Sequence, residues 1–174
     1  MIVLFHRINT LQKLAEVQHT ARAVECDVSL VDGELAVVHN KDYTMEITAL
    51  EALHWEQLQA MDPQIPKLDA YIAQAAHAGV DMYIEAKGSS SHVAITVAEG
   101  IVHAVGQAVQ DHLLSLHNHT FHPSVVVHGF SIDALQHAQQ IAQQQSLPLR
   151  IGLGWYPSFM HAQVAPAVVD TISQ

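Results

Sequence analysis

The chain has 174 residues, 49% of them hydrophobic and 14% charged, with seven Lys+Arg against seventeen Asp+Glu. This length and apolar content describe a single globular domain and exclude a disordered chain. A net charge of −10 with no basic run anywhere excludes nucleic acid and an anionic membrane surface as expected partners. The single cysteine, Cys26, rules out an intramolecular disulfide framework and is expected to be a buried small residue. No apolar run reaches the ~18 residues that suggest a membrane-inserted helix. No basic region or cleavage site marks a signal peptide at the start, so the expected location is cytoplasmic. The fourteen histidines are scattered along the chain, and most are expected to face solvent or serve structure.

Ile2 to Phe5 is wholly apolar, as a buried strand of a parallel sheet would be, and His6 and Arg7 follow at its C-terminal end. That is the end at which α/β folds place their chemistry. Asn9 is expected to cap a helix from about Thr10 to Arg22. Ala23 to Asn40, AVECDVSLVDGELAVVHN, then reads as a strand, a tight turn at Asp32-Gly33 and a second strand, Leu35 to Val38, ending at His39. Side chains alternate along a strand, so Glu25 and Asp27 share one face while Cys26 and Val28 take the other. Two carboxylates brought together on one face are costly unless a cation or a proton lies between them.

Residues 41–66 carry no strong strand signal and are expected to form a loop-and-helix excursion over the site. A short helix is expected from Glu51 to Ala60, and Tyr43 and Trp55 either line a pocket or anchor the excursion. Leu68 to Ala78 has the apolar spacing of a helix stopped by Gly79. Met82 to Lys87, MYIEAK, follows as a strand with Glu85 and Lys87 on one face. A long helical stretch is expected from about His92 to His117. The histidines of HNHTFH (117–122) match no specific ligand pattern. Val125 to Phe130 is an apolar strand, Ile132 to Gln144 a helix, and Leu149 to Trp155 a further strand. The alternation of strands and helices predicts a single α/β domain over residues 1–174.

His6-Arg7, Glu25-x-Asp27-Val28, Asp32-Gly33, Val37-Val38-His39, Ile65-Pro66-x-Leu68 and Ile84-Glu85-x-Lys87 stand in the order and spacing of a known family. The first ninety or so residues thus resemble the glycerophosphodiester phosphodiesterase family, whose fold is a TIM-type (β/α) barrel. The opening differs from the family pattern: Ile8 follows His-Arg where glycine is usual, and Asn9-Thr10 come without the usual preceding glutamate. The chain is also shorter than the ~200 residues at the lower end for such barrels, so the expected barrel is incomplete, with about six strands.

The resemblance implies that Glu25, Asp27 and Glu85 are metal ligands, and an all-oxygen set suits one Mg²⁺ or Ca²⁺. Arg7 and Lys87 are then the phosphate-binding residues and His6 and His39 the catalytic acid and base. The implied activity is metal-dependent hydrolysis of a small glycerophosphodiester-like substrate. The alternatives are a related lyase or transferase releasing a cyclic phosphate, and a non-catalytic relative that binds a phosphorylated ligand or serves an assembly. The C-terminal segment beyond Tyr156 is apolar and contains Pro157 and Pro166. It is expected to cover the gap left by an incomplete barrel, in its own chain or across a homodimer.

Overall fold

The computed structural model describes residues 4–117, 120–147 and 149–153. In chain order the elements are β1 (Leu4–Phe5), α1 (Leu11–Val17), β2 (Ala23–Val31), β3 (Glu34–Val37), a 3-10 turn (Asn40–Tyr43), α2 (Ile47–Glu51), α3 (Trp55–Met61) and α4 (Leu68–His77). They continue with β4 (Asp81–Ala86), α5 (Ser91–Gln110), β5 (Ser115–His117), β6 (Thr120–His122), β7 (Val125–Gly129), α6 (Ile132–Gln144) and β8 (Arg150–Leu153).

Five strands form a parallel sheet in the order β1-β2-β4-β7-β8, and β3 adds to β2 as the antiparallel arm of a hairpin. Parallel neighbours follow chain order without the reversal that creates the binding crevice of a doubly wound sheet. The helices after successive strands pack side by side, α1 on α4, α4 on α5 and α5 on α6. Toward them the sheet turns Val24, Cys26, Val28, Met82, Ile84, Val125 and Val127, all in one apolar core. Cys26 is buried there as expected, and its thiol is held protonated by burial and by the neighbouring carboxylates.

The opposite sheet face is different. Register places Asp27 beside Glu85 and Glu85 beside His128, so three adjacent strands carry ionisable groups in one row. Parallel sheets ordinarily bury apolar residues on both faces. Here the alternation of β2 and β4 gives one face to the core and the other to polar chemistry.

Local chemistry accounts for the joints. Asp32 and Gly33 both have positive φ, 54° and 78°, as a two-residue type I′ hairpin turn requires. Asp32 also accepts a hydrogen bond from the backbone N–H of Trp55 at 3.1 Å, tying α3 to the hairpin. Gly88, after β4, cannot carry a side chain, because a Cβ there would lie 2.4 Å from the backbone nitrogen of Ala94. That contact lets α5 start directly behind the strand end, with Ser90 as its cap accepting from Val93 N–H.

Several expectations need correction. Thr10, not Asn9, caps α1, accepting from the Lys13 N–H at 3.1 Å. The helix ends at Val17 rather than reaching Arg22. The excursion over 41–66 holds two helices after the 3-10 turn, built around a second small core of Val31, Ala36, Val38, Leu50, Leu58 and Ile65. Trp55 packs against that core as an anchor. The long helix stops at Gln110, and residues 115–117 pair with 120–122 as the β5–β6 hairpin instead of continuing it. α5 is long and apolar enough to cross a membrane by length and composition alone, but its Val97, Ile101, Val102 and Val105 are buried in the core. Only Leu4–Phe5 of the first expected strand and Arg150–Leu153 of the last are seen. Residues 1–3 and the expected covering segment beyond Tyr156 lie outside the described residues.

Candidate active site

The polar sheet face carries Glu85 and His128 toward the C-terminal ends of β4 and β7, with Glu25 and Asp27 within β2 beside them. Glu25, Asp27 and Glu85 are 3%, 1% and 5% exposed, so their charges are out of bulk water. Such burial costs several kcal/mol per ion unless partners compensate. Asp27 is fully compensated. Lys87 Nζ lies 3.0 Å from its Oδ1, and Asn9 Nδ2–H donates to its Oδ2 at 3.0 Å. Asn9 Oδ1 in turn accepts from the Asp27 backbone N–H at 3.0 Å, a reciprocal pair between the β1–α1 loop and β2. Burial pushes the Asp27 carboxyl upward, but Lys87, Asn9 and His39 outweigh it and hold the pKa below its usual value.

Lys87 Nζ also sits 2.5 Å from Glu85 Oε1. Burial lowers its pKa, and the two carboxylates more than reverse that, so the lysine stays charged. Glu25 is the group left short. Its Oε2 accepts the Arg7 backbone N–H at 2.9 Å and lies 3.4 Å from His6 Nε2, while its Oε1 is buried without a hydrogen bond. Burial first, then the Asp27 charge, raises the Glu25 pKa to about 7.

Arg7 reaches this position at a conformational cost. Its φ of 59° lies in the left-handed region, which L-residues other than Gly, Asn and Asp rarely adopt. The strain turns its N–H onto Glu25 and its guanidinium toward His39 Nε2 at 3.4 Å and Asp42 Oδ1 at 3.9 Å. His39 is buried, and its Nδ1 accepts the Lys41 backbone N–H at 3.1 Å. Its Nε2 faces the Arg7 guanidinium, which can only donate, so a neutral ring accepts from Lys41 or from Arg7 but not from both. Burial, Lys87 and Arg7 together hold its pKa below the usual value against the pull of Asp27 and Asp42.

The excursion reaches the same end of the sheet. Glu51 of α2 accepts the N–H and the hydroxyl of Ser89 in the loop after β4. A cleft of about 410 Å³ opens beside the acid face, lined by Asn9, Lys13, Asp42, Tyr43, Asp62 and Gln64 among others. Asn9 and Asp42 belong to both the cleft and the acid cluster. Tyr43 donates to Asp62 at 2.8 Å, and burial together with that partner raises its pKa.

All seven sequence-nominated residues, His6, Arg7, Glu25, Asp27, His39, Glu85 and Lys87, therefore meet at one end of the sheet. Their contacts divide unequally. Asp27 is spent on Lys87 and Asn9, whereas Glu25, Glu85 and His128 each offer a ligand atom, all within 4.8 Å of one another. The sequence reading did not single out His128, Asn9 or Asp42. His128 is legible as the one polar residue in VVVHG, at the alternating position that the register puts beside Glu85. Asn9 was obscured by its fitness as a helix cap.

Fold and site together define an α/β protein whose parallel sheet carries, on one face, a cluster of buried acids, two cations and three histidines. Among known proteins, neither a scan of protein-family models nor a search of curated proteins finds a match.

Proposed function

We propose that this protein is a metal-dependent phosphodiesterase of the glycerophosphodiester type, built on a (β/α) barrel shortened to about six strands. The observation that carries the reading is the convergence of Arg7 and Lys87 with His6, His39 and the three acids at one set of strand ends. The sequential strand order and the polar inner face support the barrel, and the family resemblance supports the chemistry.

Each side chain has a role suited to its surroundings. Arg7 offers a planar fork and Lys87 a point charge to the non-bridging phosphate oxygens. His6, exposed at the rim beside Glu25, is the base for the attacking hydroxyl. His39 is the proton donor to the leaving oxygen and acts as an imidazolium, since a neutral ring could give up its N–H only by becoming an imidazolate. Asn9 and Lys87 position Asp27, whose charge favours a positive ring at His39. The unsatisfied Glu25 Oε1 is what a cation-holding face would present. A divalent cation held there would neutralise the acids and polarise a phosphoryl oxygen.

The test is a screen of small phosphodiesters with and without Mg²⁺, Ca²⁺ or Mn²⁺, with His39→Ala as control and products followed by ³¹P NMR. Cation-dependent release of a monoester supports hydrolysis. Accumulation of a cyclic phosphate assigns the lyase or transferase reaction instead. Equal rates in His39→Ala, or no turnover of any diester, overturns the proposal.

A further inference from the structure

Two buried polar atoms on the acid face oppose each other without bonding. Glu25 Oε1 and His128 Nε2 each lack a hydrogen-bond partner, and they stand 3.9 Å apart. That gap is too wide for a hydrogen bond. It matches two ligands of one ion, which at metal–ligand distances of about 2.0–2.2 Å are separated by at most about 4.4 Å. Glu85, beside His128 in register, completes three ligand atoms from the adjacent strands β2, β4 and β7, all within 4.8 Å of one another. Three donors around one ion at these distances stand roughly 3–3.7 Å apart, so the set closes by side-chain movement on the order of 1 Å. Lys87 also holds Glu85, but by Oε1 only, whereas Asp27 in the same row has one oxygen held by Lys87 and the other by Asn9, each at 3.0 Å.

We propose that the cation site of this protein is Glu25–Glu85–His128, with Asp27 outside the coordination sphere as the anchor of Lys87. One nitrogen among two carboxylates changes the preferred ion. Imidazole is a favourable ligand for first-row transition dications and a poor one for the hard ions Mg²⁺ and Ca²⁺. The ligand class is therefore a transition dication such as Mn²⁺, Fe²⁺ or Zn²⁺. The inference rests on reading this face as the cation site, but its test needs no turnover. If Mn²⁺ binds as described and no diester is hydrolysed, the reaction assignment fails and the site stands.

The probe is Mn²⁺ alone, added to the intact chain. The fourteen histidines give Zn²⁺ too many adventitious positions. Electron spin-echo modulation of bound Mn²⁺ is expected to show a directly coordinated imidazole ¹⁴N in the wild type and in His6→Ala, and to lose it in His128→Ala. Calorimetric titration should show Mn²⁺ affinity falling at least about 100-fold in His128→Ala, since loss even of outer-shell partners costs 10–100-fold. Asp27→Asn should change it only a few-fold. His128→Gln, with a similar reach and a neutral amide, guards against misfolding of the alanine variant. Wild-type Mn²⁺ without ¹⁴N coupling, binding lost in Asp27→Asn but kept in His128→Ala, or no Mn²⁺ binding because water fills the gap would each overturn the proposal.

Discussion

Replacing Glu25 by glutamine should stabilise the metal-free protein, by an amount that grows from about pH 4.5 and levels off above about pH 7. Burial and the Asp27 charge hold the Glu25 carboxyl at about 7 in the folded state against an ordinary 4.5. The native state therefore keeps a proton that the unfolded chain has released between these values, and stability falls as pH rises through that window. At 1.36 kcal/mol for each pH unit between the two values, the ionised group costs about 3 kcal/mol at pH 8. Glutamine keeps an acceptor for the Arg7 N–H and removes the charge. Neighbours titrate with the opposite sign. His128, lowered by burial and Lys87 to about 4, makes stability rise with pH between about 4 and 6.5. Asp27, held below its usual value, contributes stability that is lost as pH falls into the acid range. These slopes are common to both proteins, so the difference between wild type and Glu25→Gln isolates one carboxyl. Urea denaturation should give equal stabilities near pH 4.5 and a variant more stable by about 3 kcal/mol at pH 8, or roughly 6–12 °C in melting temperature. Saturating Mn²⁺ should stabilise the wild type and leave the variant unchanged. A pH-independent difference would show that Glu25 is already ionised in the folded state at pH 5, and the account of its burial would fail.

Lys87→Met should destabilise the protein by about 3–5 kcal/mol at pH 8, because it leaves Asp27 and Glu85 buried without their cation; undiminished stability in urea melts would contradict this. Asn9→Ala should cost about 2–4 kcal/mol by leaving the Asp27 N–H and Oδ2 unsatisfied, and Asn9→Asp should cost at least as much by adding a charge; a wild-type midpoint in either would remove Asn9 from the scaffold. His6→Ala and His39→Ala should each lower diester turnover by about 10² or more with circular dichroism and melting temperature preserved, and a full rate in either would exclude that histidine from the reaction.

The hairpin, the acid face and the helical core spacing were legible in the sequence because each depends on a short-range period. Alternation in AVECDVSLV separates Glu25 and Asp27 from Cys26 and Val28 whatever the partner strands are. Asp32-Gly33 selects its turn through backbone dihedrals that few residues tolerate. Tertiary structure decided the rest. Whether Asn9 caps a helix or pins Asp27 depends on how close β1 lies to β2, a spacing absent from local sequence. The extent of the helix once expected to reach His117 was set by pairing between residues 115–117 and 120–122. His128 stands 43 residues beyond Glu85 in the chain and is placed beside it only by the register of β4 on β7. Above all, the sequence offered three acids of equal standing as ligands. Lys87 and Asn9 break that equality by satisfying Asp27 and leaving Glu25 open toward His128, because a buried charge is governed by the partners that reach it across the fold.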